Sequence, residues 1–357
     1  MRKILICNSG LASGGAERVI SILSNNLVND GYEVAIALWM NTPIFYDIDN
    51  RVKIINIKQE SKSDNIINNI FYFRKIVKQL RPDITISFLA LFNILTLFSL
   101  IGIKTKKIVC ERNDPNFVPF RRFLRWTRNF AYLFADGILT QTENNKKYFC
   151  NHIQKKTEVI YNPVLMNSEF VGSALNAKGD KKIISIARLV PQKNQKMLIK
   201  AFSRFAKDNE EYNLYIYGEG PLRKELENEI RLLNLEQRVY LPGVKKDIFN
   251  ILKTASVFVL PSNFEGMPNT LIEAMCLGLP CISTKVSGAT DLIKNGENGI
   301  LVDINDEEQL YHALMKLIDD KEKCNLFGTN ACKIYELLNV DNIYIQWKGY
   351  IDRQIQK

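Results

Sequence analysis

Glu265 and Glu273 stand with seven residues between them in the run Pro261-Ser262-Asn263-Phe264-Glu265-Gly266-Met267-Pro268-Asn269-Thr270-Leu271-Ile272-Glu273-Ala274-Met275. The apolar residues before Pro261 predict a strand, which puts Glu265 in the following loop and Glu273 in the first turns of the next helix. Carboxylates on either side of a helix N-terminus can accept hydrogen bonds from sugar hydroxyls while the first N–H groups face a phosphate. Either residue alone also suits an ordinary structural role, Glu273 complementing the helix dipole and Glu265 solvated in its loop.

A pair of cations opens the second half of the chain. In Ser185-Ile186-Ala187-Arg188-Leu189-Val190-Pro191-Gln192-Lys193-Asn194, Arg188 is expected to end a strand and Lys193 to start the following helix. Two cations at the mouth of a parallel sheet suit a diphosphate, because charge-assisted bonds to phosphate are strong and Arg binds it bidentately. Solvated surface charge is the plain alternative. A third candidate is the loop Ser9-Gly10-Leu11-Ala12-Ser13-Gly14-Gly15-Ala16-Glu17-Arg18, whose glycines let backbone approach a ligand ahead of a helix N-terminus. It is neither GxGxxG nor a P-loop, which removes the main support for a dehydrogenase or an ATPase.

The elements that must position these residues alternate along the chain. Strands are expected at 3–8, 33–39, 83–88, 107–111, 137–142 and 158–161, with helices at 15–29 and 91–100. The alternation restarts with strands at 182–187, 213–217, 238–241, 257–260 and 281–283 and helices at 194–207, 221–235, 247–254, 270–277 and 307–317. Such alternation calls for parallel sheets covered by helices on both faces. The expected organisation is an N-terminal Rossmann-like domain over 1–165, a linker over 166–180 rich in Gly, Ser and Asn, and a C-terminal Rossmann-like domain over 181–340. A last helix over 341–357 is expected to return to the first domain. Two doubly wound domains in series make the cleft between them the natural ligand site. The apolar stretch 84–103 is read as a buried strand and a core helix, not a membrane span, because Ser87, Asn93, Thr96 and Ser99 interrupt it.

The spacing of these residues resembles the retaining, GT-B-fold family 4 glycosyltransferases. Glu265 and Glu273 match that family's E-x7-E motif, and Arg188 with Lys193 match its R-x4-K pair. Gly14-Gly15, Gly218-Glu219-Gly220-Pro221-Leu222-Arg223 and Gly278-Leu279-Pro280 fit as well, so the likeness runs nearly the whole chain. Ser13-Gly14-Gly15-Ala16-Glu17-Arg18 and Ile86-Ser87-Phe88-Leu89 make it similar to bacterial enzymes that extend lipid-linked saccharides for glycoprotein, capsule or O-antigen synthesis.

The resemblance implies a retaining, metal-independent enzyme without a cofactor, and makes 1–165 the acceptor-binding domain and 181–340 the nucleotide-sugar donor domain. It would move a hexose or N-acetylhexosamine from a nucleotide diphosphate-sugar, UDP-linked, to a polyprenyl-diphosphate-linked saccharide. Arg188 and Lys193 would neutralise the leaving diphosphate, Glu273 would hold the ribose and Glu265 the transferred sugar. Gly14 and Gly15 would admit the diphosphate from the opposite wall. Gly266, Met267, Asn269 and Thr270 would line sugar and phosphate with their backbone, and Val244 would lie by the base. On this reading, loss of Arg188 or Lys193 cuts turnover and leaves stability nearly unchanged. Two other classes share the pocket. A nucleotide-sugar epimerase of the same fold needs acid and base groups for a sugar proton, and a non-catalytic binding subunit need not keep all four donor residues.

The chain departs from the family at one place. Many relatives carry a His in a pattern like S-E-H where this sequence reads Cys110-Glu111-Arg112-Asn113-Asp114, so Arg112 is expected near the sugar or the acceptor phosphate as an electrostatic group, not a base. His152 and His312 read as ordinary structural residues. Asp47-Ile48-Asp49 is formally a DxD but lies far in sequence from the donor residues, and no metal site is expected.

Composition bounds the partners. Residues 1–165 carry 23 Lys and Arg against 13 Asp and Glu, whereas residues 166–357 carry 25 of each, so the excess charge of +10 belongs to the first part. That field favours an anionic partner. Nucleic acid is disfavoured, since no zinc finger, RNP-type strand or basic zipper is found. The run Arg121-Arg122-Phe123-Leu124-Arg125-Trp126-Thr127-Arg128-Asn129-Phe130 interleaves basic and aromatic residues. Read as a helix, it puts Arg121, Arg125 and Arg128 on one face, and Arg121, Arg122, Arg125, Trp126 and Arg128 are expected to dock on an anionic membrane. Seven scattered cysteines without a CxxC pair and an apolar N-terminal stretch too short for a signal peptide point to the cytoplasm, peripheral on the inner face of the membrane.

Overall fold

The computed structural model describes residues 2–12, 14–175 and 180–356. Ser13 of the glycine loop, and Asn176 and Gly179 of the expected linker, lie outside the described residues. The chain divides into two compact units, Met1–Pro163 together with Val340–Lys357, and Val164–Asn339.

The first unit is a parallel sheet of seven strands: β1 Lys3–Asn8, β2 Glu33–Leu38, β3 Lys53–Asn56, β4 Ile84–Phe88, β5 Lys106–Cys110, β6 Gly137–Thr140 and β7 Thr157–Val159. Their order is β3-β2-β1-β4-β5-β6-β7. The central strands are apolar on both faces because helices cover both. In β1, residues from Ile4 to Cys7 are all buried, and Leu5 and Cys7 pack with Trp39, Phe73 and Val77 on one side of the sheet. Sequence periodicity missed β3, whose four residues are half exposed and carry no alternation long enough to read. The helix Gly15–Asn29 follows β1, as its apolar spacing requires.

The apolar stretch after residue 83 is β4 followed by the helix Ala90–Ser99. Its polar residues are core groups: Ser87 Oγ donates to Asn93 Oδ1 at 2.8 Å, and Asn93 Nδ2 donates to the Tyr132 hydroxyl at 2.7 Å. Among the described residues no helix is long and apolar enough to cross a membrane. The last helix, Val340–Gln356, belongs to this unit, its Trp347 buried and stacked 6.0 Å from the Phe88 ring.

The second unit holds six parallel strands: β8 Lys182–Ile186, β9 Asn213–Tyr217, β10 Val239–Gly243, β11 Val257–Leu260, β12 Cys281–Thr284 and β13 Ile300–Val302. They lie in the order β10-β9-β8-β11-β12-β13 around a core that includes Leu198, Phe202, Phe205, Val259 and Leu314. The described part of the expected linker, 166–175, is docked on this unit. Gly172 N–H donates to Cys276 O at 3.0 Å, Ala174 N–H donates to Leu277 O at 2.9 Å, and Phe170 stacks on Phe249 at 5.8 Å. Backbone pairing and an aromatic contact hold it where composition alone suggested a free connector.

Both sheets reverse direction of strand order at one point, between β1 and β4 in the first unit and between β8 and β11 in the second. Ligands of doubly wound sheets bind outside the C-terminal strand ends at such a switch point. The residues singled out above follow three of these four strands: Gly14 and Gly15 after β1, Arg188 and Lys193 after β8, and Glu265 after β11.

Candidate functional site

In the second unit, the chain leaves β11 through Pro261 and Ser262, turns at Asn263 to Pro268, and enters the helix Asn269–Cys276. Leu271 and Ile272 N–H both donate to Pro268 O, at 3.1 and 3.2 Å, and close the first turn. Pro268 has no N–H to give and costs nothing at a helix start. Glu265 in the turn is 6% exposed and Glu273, in the second helical turn, is 3% exposed. Buried carboxylates need partners. Lys193 Nζ makes an ion pair with Glu265 Oε1, and Ser262 Oγ donates to the same oxygen at 2.7 Å. Gln192 Nε2 donates to Phe264 O at 2.9 Å and reaches Glu265 Oε2 at 3.4 Å. Asn263 N–H donates to Gln192 O at 2.8 Å. The turn after β11 and the turn after β8 are thereby stitched into one surface.

Arg188 behaves differently from Lys193. It lies two residues past β8, is exposed, and takes part in no ion pair among the described residues, which leaves its guanidinium open to an anion. Lys193 ends the short turn Pro191–Lys193 and points into Glu265, with 16% of its side chain exposed. The pairing bears on the expectation that Lys193 can be removed without structural cost, because its loss would strand a buried carboxylate. Asn269 and Thr270 are half-buried at the helix N-terminus, while Gly266 and Met267 are buried beneath it. Val244 follows β10 and is 70% exposed, free to cover the face of a flat ring.

Gly288 belongs to this surface and no sequence signal pointed to it. A Cβ there would come within 2.4 Å of Gly266 O and 2.5 Å of Pro268 Cδ, so only glycine lets the helix Ser287–Leu292 support the turn at this distance. Contact between residues twenty positions apart is a tertiary fact. Ser262 and Gln192 likewise gain their roles only through the fold.

In the first unit, Gly14 precedes the helix Gly15–Asn29 in extended backbone that any residue adopts (φ −169°). The space over it is filled by Glu17, whose Oε2 would lie 2.1 Å from a Cβ on Gly14. Glu17 Oε1 accepts from Asn8 Nδ2 at 3.2 Å, which ties the helix start to the end of β1. Arg112, two residues past β5, is 6% exposed with its guanidinium 5.8 Å from the Phe88 ring centroid. Its Nη2 donates to Asn162 Oδ1. Burial holds its pKa at about 10, below the usual arginine range.

The basic aromatic segment requires a correction. The helix runs Arg122–Tyr132, but Arg128 is fully buried and does not share an exposed face with Arg121. Its Nη1 stands 3.5 Å from Glu111 Oε2 and donates to Val118 O at 2.7 Å, and Nη2 donates to Pro115 O at 3.1 Å. The Tyr148 and Phe149 rings lie 5.0 and 5.4 Å from the guanidinium. Burial raises the Glu111 carboxyl and Arg128 opposes that shift. The reason for the reversal is this ion pair: a buried Glu111 draws the arginine inward and the aromatic stripe is left outside. Phe123, Trp126 and Phe130 are 77%, 82% and 55% exposed, with Arg121 and Arg122 exposed beside them. Arg125 is half-buried and donates to Asn116 O.

The remaining candidates are peripheral. His152 is exposed, and His312 is exposed with Nε2 3.0 Å from Glu308 Oε1. Asp49 accepts from Arg51 Nε at 2.9 Å and Nη2 at 2.7 Å, and that bond holds its carboxyl well below the usual range. Among the described residues no group of three or more His, Cys, Asp or Glu side chains is arranged to hold a metal ion.

Comparison with known proteins matches residues 168–334 to the family model described as Glycosyl transferases group 1, and residues 13–166 to that described as Glycosyltransferase Family 4. The chain is 30% identical to the GalNAc-alpha-(1->4)-GalNAc-alpha-(1->3)-diNAcBac-PP-undecaprenol alpha-1,4-N-acetyl-D-galactosaminyltransferase of Campylobacter jejuni, over 97% of this chain and 98% of the relative. It is 36% identical over 48% of its length, and 46% of the relative's, to the UDP-Gal:alpha-D-GlcNAc-diphosphoundecaprenol alpha-1,3-galactosyltransferase of Escherichia coli. Among solved structures, the sucrose-phosphate synthase of Thermosynechococcus elongatus superposes with a TM-score of 0.84 at 18% identity, covering 99% of both chains. That likeness shows the GT-B fold.

Proposed function

Because the chain belongs to the family 4 glycosyltransferases, we propose that it transfers a hexose or N-acetylhexosamine from a UDP-sugar to a saccharide carried on a polyprenyl diphosphate, with retention at the anomeric carbon. The observation that carries the reading is the surface formed by Arg188, Lys193, Glu265 and the start of the helix Asn269–Cys276. Exposed Arg188 and the helix N-terminus supply positive potential for a diphosphate, and Glu265 is held at one end of that surface by Lys193 and Ser262. Glu273 accepts the ribose hydroxyls, Gly266, Met267, Asn269 and Thr270 line sugar and phosphate, and Val244 lies by the base. The relatives' names support an undecaprenyl diphosphate acceptor, and one of them a UDP-sugar donor.

In the step itself, the bond from the sugar's anomeric carbon to the diphosphate oxygen breaks and a bond from an acceptor hydroxyl oxygen forms on the same face. The hydroxyl proton passes to the departing diphosphate oxygen, and UDP leaves. No metal is required, since cationic side chains and helix amides offset the charge that develops.

The aromatic stripe Phe123, Trp126 and Phe130, with Arg121 and Arg122 at its edge, is the surface we assign to an anionic inner-leaflet membrane. The excess positive charge of residues 1–165 complements it.

Incubation with UDP-hexoses and UDP-N-acetylhexosamines and a set of polyprenyl-diphosphate saccharides, followed by mass spectrometry, tests the reading. The expected result is an acceptor heavier by one sugar residue only when both substrates are present. Epimerised UDP-sugar without acceptor, or no turnover across the panel, would overturn it.

A further inference from the structure

The first unit contains two buried arginines in opposite states. Arg128 is paired with Glu111 and donates to Val118 O, Pro115 O and Asn129 Oδ1. Arg112, 6% exposed, makes no ion pair among the described residues. Its Nη2 donates to Asn162 Oδ1, while Nε and Nη1 have no hydrogen-bond partner among the described residues. The Phe88 ring, 5.8 Å away, closes off one face of the guanidinium with apolar surface.

Leaving a buried charge uncompensated and its donors unused is expensive, and such a group calls for a partner. The placement is specific. Arg112 follows β5 and Phe88 ends β4, on the C-terminal side of the strand-order switch. Burial disfavours the charged guanidinium, and the charge of Glu17, in the first turn of the helix Gly15–Asn29, opposes that only in part. The unit also carries the whole excess of positive charge.

We propose that Arg112 is the recognition arm of a phosphate subsite in the first unit, and that the diphosphate of the lipid-linked acceptor occupies it. This rests on the reading above and deepens it. An arginine with spare N–H donors against an aromatic wall favours a doubly charged, many-oxygen anion over a neutral sugar hydroxyl. The other source of the same chemistry is the diphosphate of the nucleotide. Position in the unit that lacks Arg188 and Lys193 favours the acceptor.

The test compares wild-type enzyme with R112M and R112K on two acceptors, a polyprenyl-diphosphate saccharide and the same saccharide as a neutral alkyl glycoside. Expected for R112M is a rise of at least tenfold in KM for the diphosphate acceptor, larger than any change in KM for the UDP-sugar or in the rate on the neutral acceptor. R112K, which keeps the charge, should recover part of the loss. An equal loss on both acceptors marks Arg112 as structural and overturns the proposal, and a selective rise in the UDP-sugar KM gives the subsite to the nucleotide and overturns it as well. Calorimetric titration with inorganic pyrophosphate, in the presence of saturating UDP, is independent of turnover. Weaker binding by R112M than by wild type supports the subsite even if no transfer is found, and equal binding overturns it. Should R112M fail to fold, R112K carries both measurements: it must still weaken diphosphate binding, since Lys cannot reproduce the guanidinium's donors.

Discussion

Lys193 Nζ and Glu265 Oε1 form an ion pair whose side chains are only 16% and 8% exposed, and Ser262 Oγ donates to the same carboxylate oxygen. Arg188, in the same segment, is exposed and has no ion pair among the described residues. The two cations of the R-x4-K pair therefore answer differently to mutation. K193M should destabilise the protein by about 3 kcal/mol, since it leaves a buried carboxylate without its counter-charge. R188A should leave urea stability within experimental error and lower kcat by about 100-fold to 1,000-fold, the usual effect of losing one donor to a developing anion. Equal stability of the two variants would show that the pair has no structural role.

Gly288 is predicted to be intolerant of a methyl group. Its Cβ would overlap Gly266 O and Pro268 Cδ, so G288A must push the Glu265 turn away from the helix that supports it. The expected cost is about 1–3 kcal/mol of stability, with a raised KM for the UDP-sugar and little change in KM for the acceptor. Thermal melts and steady-state kinetics on the variant decide this, and wild-type donor KM would refute the supporting role.

Membrane association should depend on the exposed stripe and not on Arg128. Replacing Phe123, Trp126 and Phe130 by Ser should abolish co-sedimentation with anionic liposomes. R121E with R122E should weaken it in a salt-dependent way, each removed cation being worth about 1 kcal/mol. R128M should instead reduce stability by roughly 3–5 kcal/mol, because Glu111 is left buried and unpaired. Equal recovery of wild type with neutral and anionic vesicles counts against the assignment.

Transfer should persist in excess EDTA. Asp49 is held by Arg51, and the donor surface carries cations of its own. D47A with D49A should stay active. Activity lost to chelator and regained with Mg²⁺ or Mn²⁺ would sink metal independence.

Much of this protein is written in local sequence. The strands β1, β9 and β11 and the helix Gly15–Asn29 lie where short apolar runs and helical spacing put them, because buried parallel strands have no polar face to hide. The turn before Asn269 was legible for a similar reason: a strand end, a Gly, a Pro and a Glu-bearing helix are neighbours in sequence, and their order fixes their geometry. The orientation of the helix Arg122–Tyr132 was not legible. Its pattern of Arg and aromatic residues fits either face inward, and only Glu111, supplied by another element and buried, decides that Arg128 goes in and Trp126 stays out. The same holds for Lys193, which sequence presents as a free cation and the fold joins to Glu265, and for Gly288 beneath Gly266. Sequence spacing determines what each segment becomes; which charges meet depends on contacts between segments, and the cost of burying an unpaired ion, felt only once the chain is packed, selects among them.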